Sequence, residues 1–141
     1  MAAVARYLAD KSALARLHLP SVANALLPRI EAGLVATCAI VEFEILWSTR
    51  SIEEYEGVRT DRWLGYEWLS IENDDWLRVL DVQQQLWSAG SIRSVPLPDL
   101  LIAAVAERHR VTVLHYDADY DTIAAFTGQS VEWVVPRGSV T

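Results

Sequence analysis

What most constrains this chain is a set of short apolar runs rich in Val, Leu and Thr: Tyr7–Ala9, Leu34–Thr37, Val111–Leu114 and Val131–Val135. Near-continuous runs of this length suit strands covered on both faces, as in a parallel sheet, better than half-exposed strands of alternating polarity. Between them lie longer stretches with helical spacing, Ser21–Ala32, Ile40–Ser48, Ile52–Leu64, Asp74–Ala89 and Pro98–Arg108. Strands alternating with helices predict the α/β class, an α/β/α sandwich around a central, mostly parallel sheet of four to five strands. No internal repeat, low-complexity tract or linker interrupts the pattern, so residues 1–141 read as one domain. A chain of this size buries roughly 70% of the surface its unfolded form exposes, and needs neither metal nor disulfide to fold.

Three function classes lose support from composition. No apolar run approaches the roughly 20 residues that span a bilayer, so no membrane association is expected. Met1–Asp10 lacks the apolar core of a secretory signal, and the lone Cys38 sits in an apolar stretch without a disulfide partner, which fits a cytoplasmic protein with a buried thiol. The net charge of −7 argues against broad binding to polyanions.

In open α/β sheets ligands bind outside the carboxyl ends of the strands. The residues expected there are acids. Asp10 closes the first strand, with Ser12 two residues on; Glu42 opens the helix after the second; Asp99 follows Pro98 at the head of a nearly all-apolar helix; Asp117 follows Val111–Leu114. Each alone could cap a helix or complement its dipole. Glu42 and Glu44 compete for one position, since residues two apart on a helix are rotated by about 200°. Glu42, sharing a face with Ile45 and Leu46, is the preferred pocket acid. Of Asp117, Asp119 and Asp121, the first lies nearest the strand end, while Asp119 or Asp121 is expected to cap a short helix, Thr122–Phe126. The alternating acids do not make a calcium loop, because Thr122 and Gly128 stand where an EF-hand needs Gly and Glu.

Carboxylates ~5 Å apart at an effective dielectric near 20 repel by roughly 3 kcal/mol per pair, so a shared pocket calls for a cation. All-oxygen donors favour Mg²⁺ or Mn²⁺, whereas zinc would recruit His or Cys. His18, His109 and His115 show no metal-ligand spacing with Cys38 and read as surface or partly packed side chains.

The segments Leu-Ala-Asp10-Lys-Ser12, Thr37-Cys-Ala-Ile-Val-Glu42, Leu-Pro-Asp99-Leu-Leu-Ile-Ala-Ala and Val-Leu-His-Tyr-Asp117-Ala-Asp119-Tyr occur in this order across nearly the whole chain. In this the sequence resembles the PIN-domain ribonucleases, most closely the VapC-type toxins of toxin-antitoxin operons. The resemblance implies a PIN-like fold and makes Asp10, Glu42, Asp99 and Asp117 the acidic quartet. It also makes Ser12 the hydroxyl that orients the first acid and Asp119 an auxiliary metal ligand. It further implies metal-dependent cleavage of single-stranded or looped RNA, a VapB-type antitoxin and a homodimer. The sequence departs from the pattern at Lys11 and at His115-Tyr116, where many relatives carry Thr or Asn, and Thr, respectively. Trp63, Tyr66 and Trp68, around an expected break between helices at Gly65, suit either internal packing or a groove for an antitoxin segment or a second subunit. A signalling receiver domain is disfavoured, because it needs a late Lys and the only Lys here is Lys11. A catalytically silent PIN-like binding module is the remaining alternative.

Overall fold

A computed structural model describes residues 3–141. Met1 and Ala2, which begin both the expected domain and the segment tested for a secretory signal, lie outside the described residues. The strands β1 (Tyr7–Ala9), β2 (Val35–Thr37), β3 (Glu67–Trp68), β4 (Thr112–His115) and β5 (Val131–Trp133) form one sheet in the order β3-β2-β1-β4-β5. Every neighbouring pair is parallel, so the expected mostly parallel sheet is wholly parallel. Seven helices connect the strands among the described residues: α1 (Lys11–Leu14), α2 (Pro20–Glu31), α3 (Ala39–Trp47), α4 (Ile52–Gly65), α5 (Asn73–Ser88), α6 (Leu97–His109) and α7 (Asp119–Thr127).

The period-two geometry of strands divides their side chains between two cores. Leu8, Ala36 and Val113 point to one face, packed with Val79 and Leu86 of α5, Ile102 of α6 and Ile123 of α7. Ala9, Val35 and Leu114 point to the other, against Ala13 of α1 and Val22 and Leu26 of α2. Both faces are therefore dry, which is why the strands read as nearly continuous apolar runs. In α6 every residue from Asp99 to Ala106 is buried. A helix enclosed on all sides has no polar stripe, so an acid at its head has no route to open water along its own surface.

Sequence patterning missed β3, a two-residue edge strand that begins with a charge. That charge is used locally, since Glu67 Oε1 accepts from the amides of Val4 and Ala5 at 3.0 and 2.8 Å. The break at Gly65 accordingly lies between α4 and β3, not between two helices. No helix among the described residues is long and apolar enough to cross a membrane. Because β1 lies between β2 and β4, the chain leaves it towards one side of the sheet and later returns on the other. The loops after β1 and β4 diverge there, opening a crevice at the carboxyl ends of the strands.

Candidate active site

Asp10 sits where β1 ends and α1 begins, 5% exposed. Its Oδ2 accepts from the Ser12 amide at 2.9 Å, capping α1, and its Oδ1 accepts from the Tyr120 hydroxyl at 2.8 Å. Capping and pocket placement, alternatives from sequence, are thus combined in one side chain. Ser12 orients Asp10 through its backbone, not its hydroxyl. The hydroxyl oxygen instead accepts from the Tyr116 amide at 2.9 Å, tying the loop after β4 to the loop after β1.

That second loop carries Asp117 and Asp119. Asp117 Oδ1 accepts from the Asp119 amide at 2.9 Å, which closes the turn leading into α7. Helix α7 starts at Asp119, earlier than expected, so Asp119 and Asp121 both lie within its first turn and neither caps it. Asp121 turns away to accept from Trp133 Nε1 at 3.0 Å. His115 is fully buried, not partly packed, and its Nδ1 accepts from the Asp117 amide at 3.1 Å. The imidazole thereby supplies a local acceptor for the turn into α7. Burial holds its pKa below the usual histidine value, which keeps the ring neutral and Nδ1 free to accept.

Oxygens of Asp99, Asp117 and Asp119 lie within 4.8 Å of one another. Asp99 is 8% exposed, and burial followed by the charges of Asp10, Asp117, Asp119 and Glu44 raises its pKa from 3.8 to about 8. Asp119 is shifted upward by burial and by Asp117. The same crowding raises the Tyr120 phenol, through burial and then Asp10 and Asp99, so the hydroxyl remains a proton donor.

The two acids of α3 have opposite surroundings. Glu42 does not join this group; it is clamped by Arg62, whose Nε and Nη2 donate to its two oxygens at 2.7–2.9 Å, and it accepts from the Thr37 hydroxyl at 2.5 Å. Its apolar helix face reports enclosure, and an enclosed charge without a counter-charge is strongly unfavourable. Arg62 on α4 supplies it, held in turn over the Tyr66 ring at 4.3 Å. Glu44, rotated to the other side of α3, has a buried Oε1 with no hydrogen-bond partner. Its pKa is raised by burial and next by Asp10, whose charge it faces. The sequence signal for this difference was the basic residue on the following helix, at a spacing that only the α3–α4 packing reveals.

Orphaned carboxylate oxygen at Glu44 and a carboxyl driven to about 8 at Asp99 are what an all-oxygen site for a hard divalent cation looks like from the protein side. Asp99, Asp117 and Asp119 bring carboxylate oxygens together, and the charges of Asp10 and Glu44 reach Asp99. A family model described as PIN domain matches residues 7–125. The chain is 46% identical over 134 residues to ribonuclease VapC21 of Mycobacterium tuberculosis, covering 95% of this chain and 97% of that protein. It is 40% identical over 135 residues to ribonuclease VapC51 of the same organism, covering 96% and 97%. The fold is similar to a chain in the crystal structure of VapBC2 from Rickettsia felis bound to a DNA fragment from their promoter. That match has a TM-score of 0.73 at 18% identity, covering 90% of this chain and 98% of that one.

Proposed function

The chain belongs to the PIN-domain family as a VapC-type ribonuclease toxin, and on that premise we propose that it is a cytoplasmic, divalent-cation-dependent endoribonuclease working through Asp10, Glu44, Asp99, Asp117 and Asp119. The observation that carries the reading is the convergence of Asp99, Asp117 and Asp119, whose oxygens lie within 4.8 Å of one another, with the pKa of Asp99 raised to about 8 first by burial and then by its neighbours of like charge. Glu44 takes the place expected of Glu42, because Glu42 is already neutralised by Arg62. Bound Mg²⁺ or Mn²⁺ would neutralise this group, lower the pKa of an attacking water and stabilise charge at the scissile phosphate.

The protein's own part is positioning. Asp10 is fixed at both oxygens by the Ser12 amide and the Tyr120 hydroxyl, so its remaining lone pairs have one orientation. The Ser12–Tyr116 bond holds the two acid-bearing loops at a constant separation. Asp99 and Glu44 would hold the cation as carboxylates, their protons displaced by its charge. Water then attacks phosphorus and the bond to the 3′ oxygen breaks, leaving 5′-phosphate and 3′-hydroxyl ends without a covalent protein intermediate.

A VapB-type antitoxin is the proposed partner, supported by the likeness to toxin chains of VapBC assemblies. A homodimer is also proposed, and the exposed stripe Trp76, Leu80 and Trp87 along α5 supports it. Sequencing RNA ends after induced expression of wild type and Asp99→Asn tests the central reading. New 5′-phosphate ends should accumulate with wild type and be absent with the variant. The same ends in both would overturn it.

A further inference from the structure

Trp47 is 89% exposed and Phe43 68% exposed. They stand four residues apart on α3, which places their rings on one face a single turn apart. Between them in sequence is Glu44, the acid that faces Asp10. Lys11, Phe43, Glu44 and Trp47 together line an open cleft of about 280 Å³. One exposed aromatic needs no explanation. Two of them beside the acidic group, across from the only Lys in the chain, do.

Two of its four lining residues, Glu44 and Lys11, are charged, and that selects its occupant. An apolar protein surface sealing over Phe43 and Trp47 would take Glu44 and Lys11 out of water, which is strongly unfavourable. A single-stranded nucleic acid does not. Its bases present flat faces to the rings, and its backbone brings a further anion to Lys11, whose charge reaches Glu44 but which makes no salt bridge among the described residues. Resting on the ribonuclease reading above, we propose that Phe43 and Trp47 form a stacking platform for unpaired bases next to the cleaved bond, with Lys11 holding an adjacent phosphate. Stacking accepts any base but requires an accessible face, so the platform selects single-stranded or looped RNA over duplex without reading sequence.

The test measures binding of a short single-stranded oligoribonucleotide, and of its abasic counterpart, by fluorescence anisotropy in an Asp99→Asn background with Mn²⁺ present. Trp47→Ala should weaken binding of the base-bearing strand by roughly 5- to 150-fold, as expected for about 1–3 kcal/mol per stacked base. Trp47→Phe should retain most of the affinity, and the abasic strand should bind all three proteins alike. An unchanged Kd for the base-bearing strand, or an equal loss for the abasic one, overturns the platform. So does a change from dimer to monomer in sedimentation with RNA affinity intact, which would make this face an interface between copies. If wild type cuts RNA and Trp47→Ala cuts it with undiminished kcat/KM, the platform alone fails. If wild type cuts no RNA, the ribonuclease reading fails first.

Discussion

Asp75 and Asp99 occupy the same place, the third residue of a helix, in α5 and α6 respectively, and both are buried, at 1% and 8% exposure. Their surroundings are opposite. Asp75 accepts from the Glu72 amide at 2.9 Å and receives both Nε and Nη2 of Arg108, at 2.8 and 3.1 Å. Nearby, Arg78 forks onto Glu107 at 2.7 and 3.2 Å. Asp99 instead faces four more carboxylates, and none of the five makes an ion pair among the described residues. The comparison separates two uses of a buried acid. One fastens helices together and carries its counter-charge within the chain, while the other has no counter-charge among the described residues.

The largest test of this contrast lies on α3, where both kinds of acid stand two residues apart. Glu44→Gln should lower kcat/KM by about 10²-fold or more, the loss of a few kcal/mol of transition-state stabilisation. Glu42→Gln should leave the rate of the folded protein within a few-fold of wild type and lower its Tm. The reverse order in a cleavage assay would return the catalytic role to Glu42.

Next in size is Asp75→Asn, which removes the partner of Arg108 and should cost about 3 kcal/mol of stability in chemical denaturation, without altering metal response. A stability loss below about 1 kcal/mol would show that the α5–α6 pair is not the fastening described. Metal addition should do the converse. Mg²⁺ or Mn²⁺ at about 100 times its Kd should stabilise wild type by about 2.7 kcal/mol and Asp99→Asn far less, as read from Tm. Equal shifts in the two proteins would mean that the cation binds elsewhere.

The smallest expected effect is pH dependence. Folded metal-free protein holds a proton on Asp99 up to about pH 8, whereas the unfolded chain releases it near 3.8. The folded state therefore binds more protons between these values, and stability should fall as pH rises through them. Lowering the pH of metal-free protein from 8 to 6 should raise Tm by a few degrees, at roughly 2–4 °C per kcal/mol for a chain of this size. Saturating metal, or Asp99→Asn, should flatten the trend, and a flat profile in metal-free wild type would contradict the crowding at Asp99.

The layered α/β fold was legible because a sheet buried on both faces leaves near-continuous apolar runs; Asp10 and Asp117 were legible because they stand where such strands end, and Asp99 because it heads a helix that is apolar on nearly all sides. β3 was not, since two residues of an edge strand leave no period and Glu67 spends its charge on the amides of Val4 and Ala5. The ion pair that sets Glu42 apart from Glu44 was hidden for a related reason. Helical rotation separates the two faces, but which face meets Arg62 and which meets Asp10 depends on how α4 packs. Asp121 was likewise out of reach of local patterning, because its partner Trp133 comes from the next strand. Tyr120 carried no local signal either, since its partner Asp10 is 110 residues away.

That phenol has one more implication. Tyr120 and Asp119 are consecutive in α7, so seating the ring against the sheet and delivering the acid to the crevice are a single movement. A substitution at Ile123, buried in the apolar core, would loosen the same helix and register in a cleavage assay as damage to the chemistry. Inactive variants along α7 should be sorted by hydrogen exchange before any of them is credited with a chemical role.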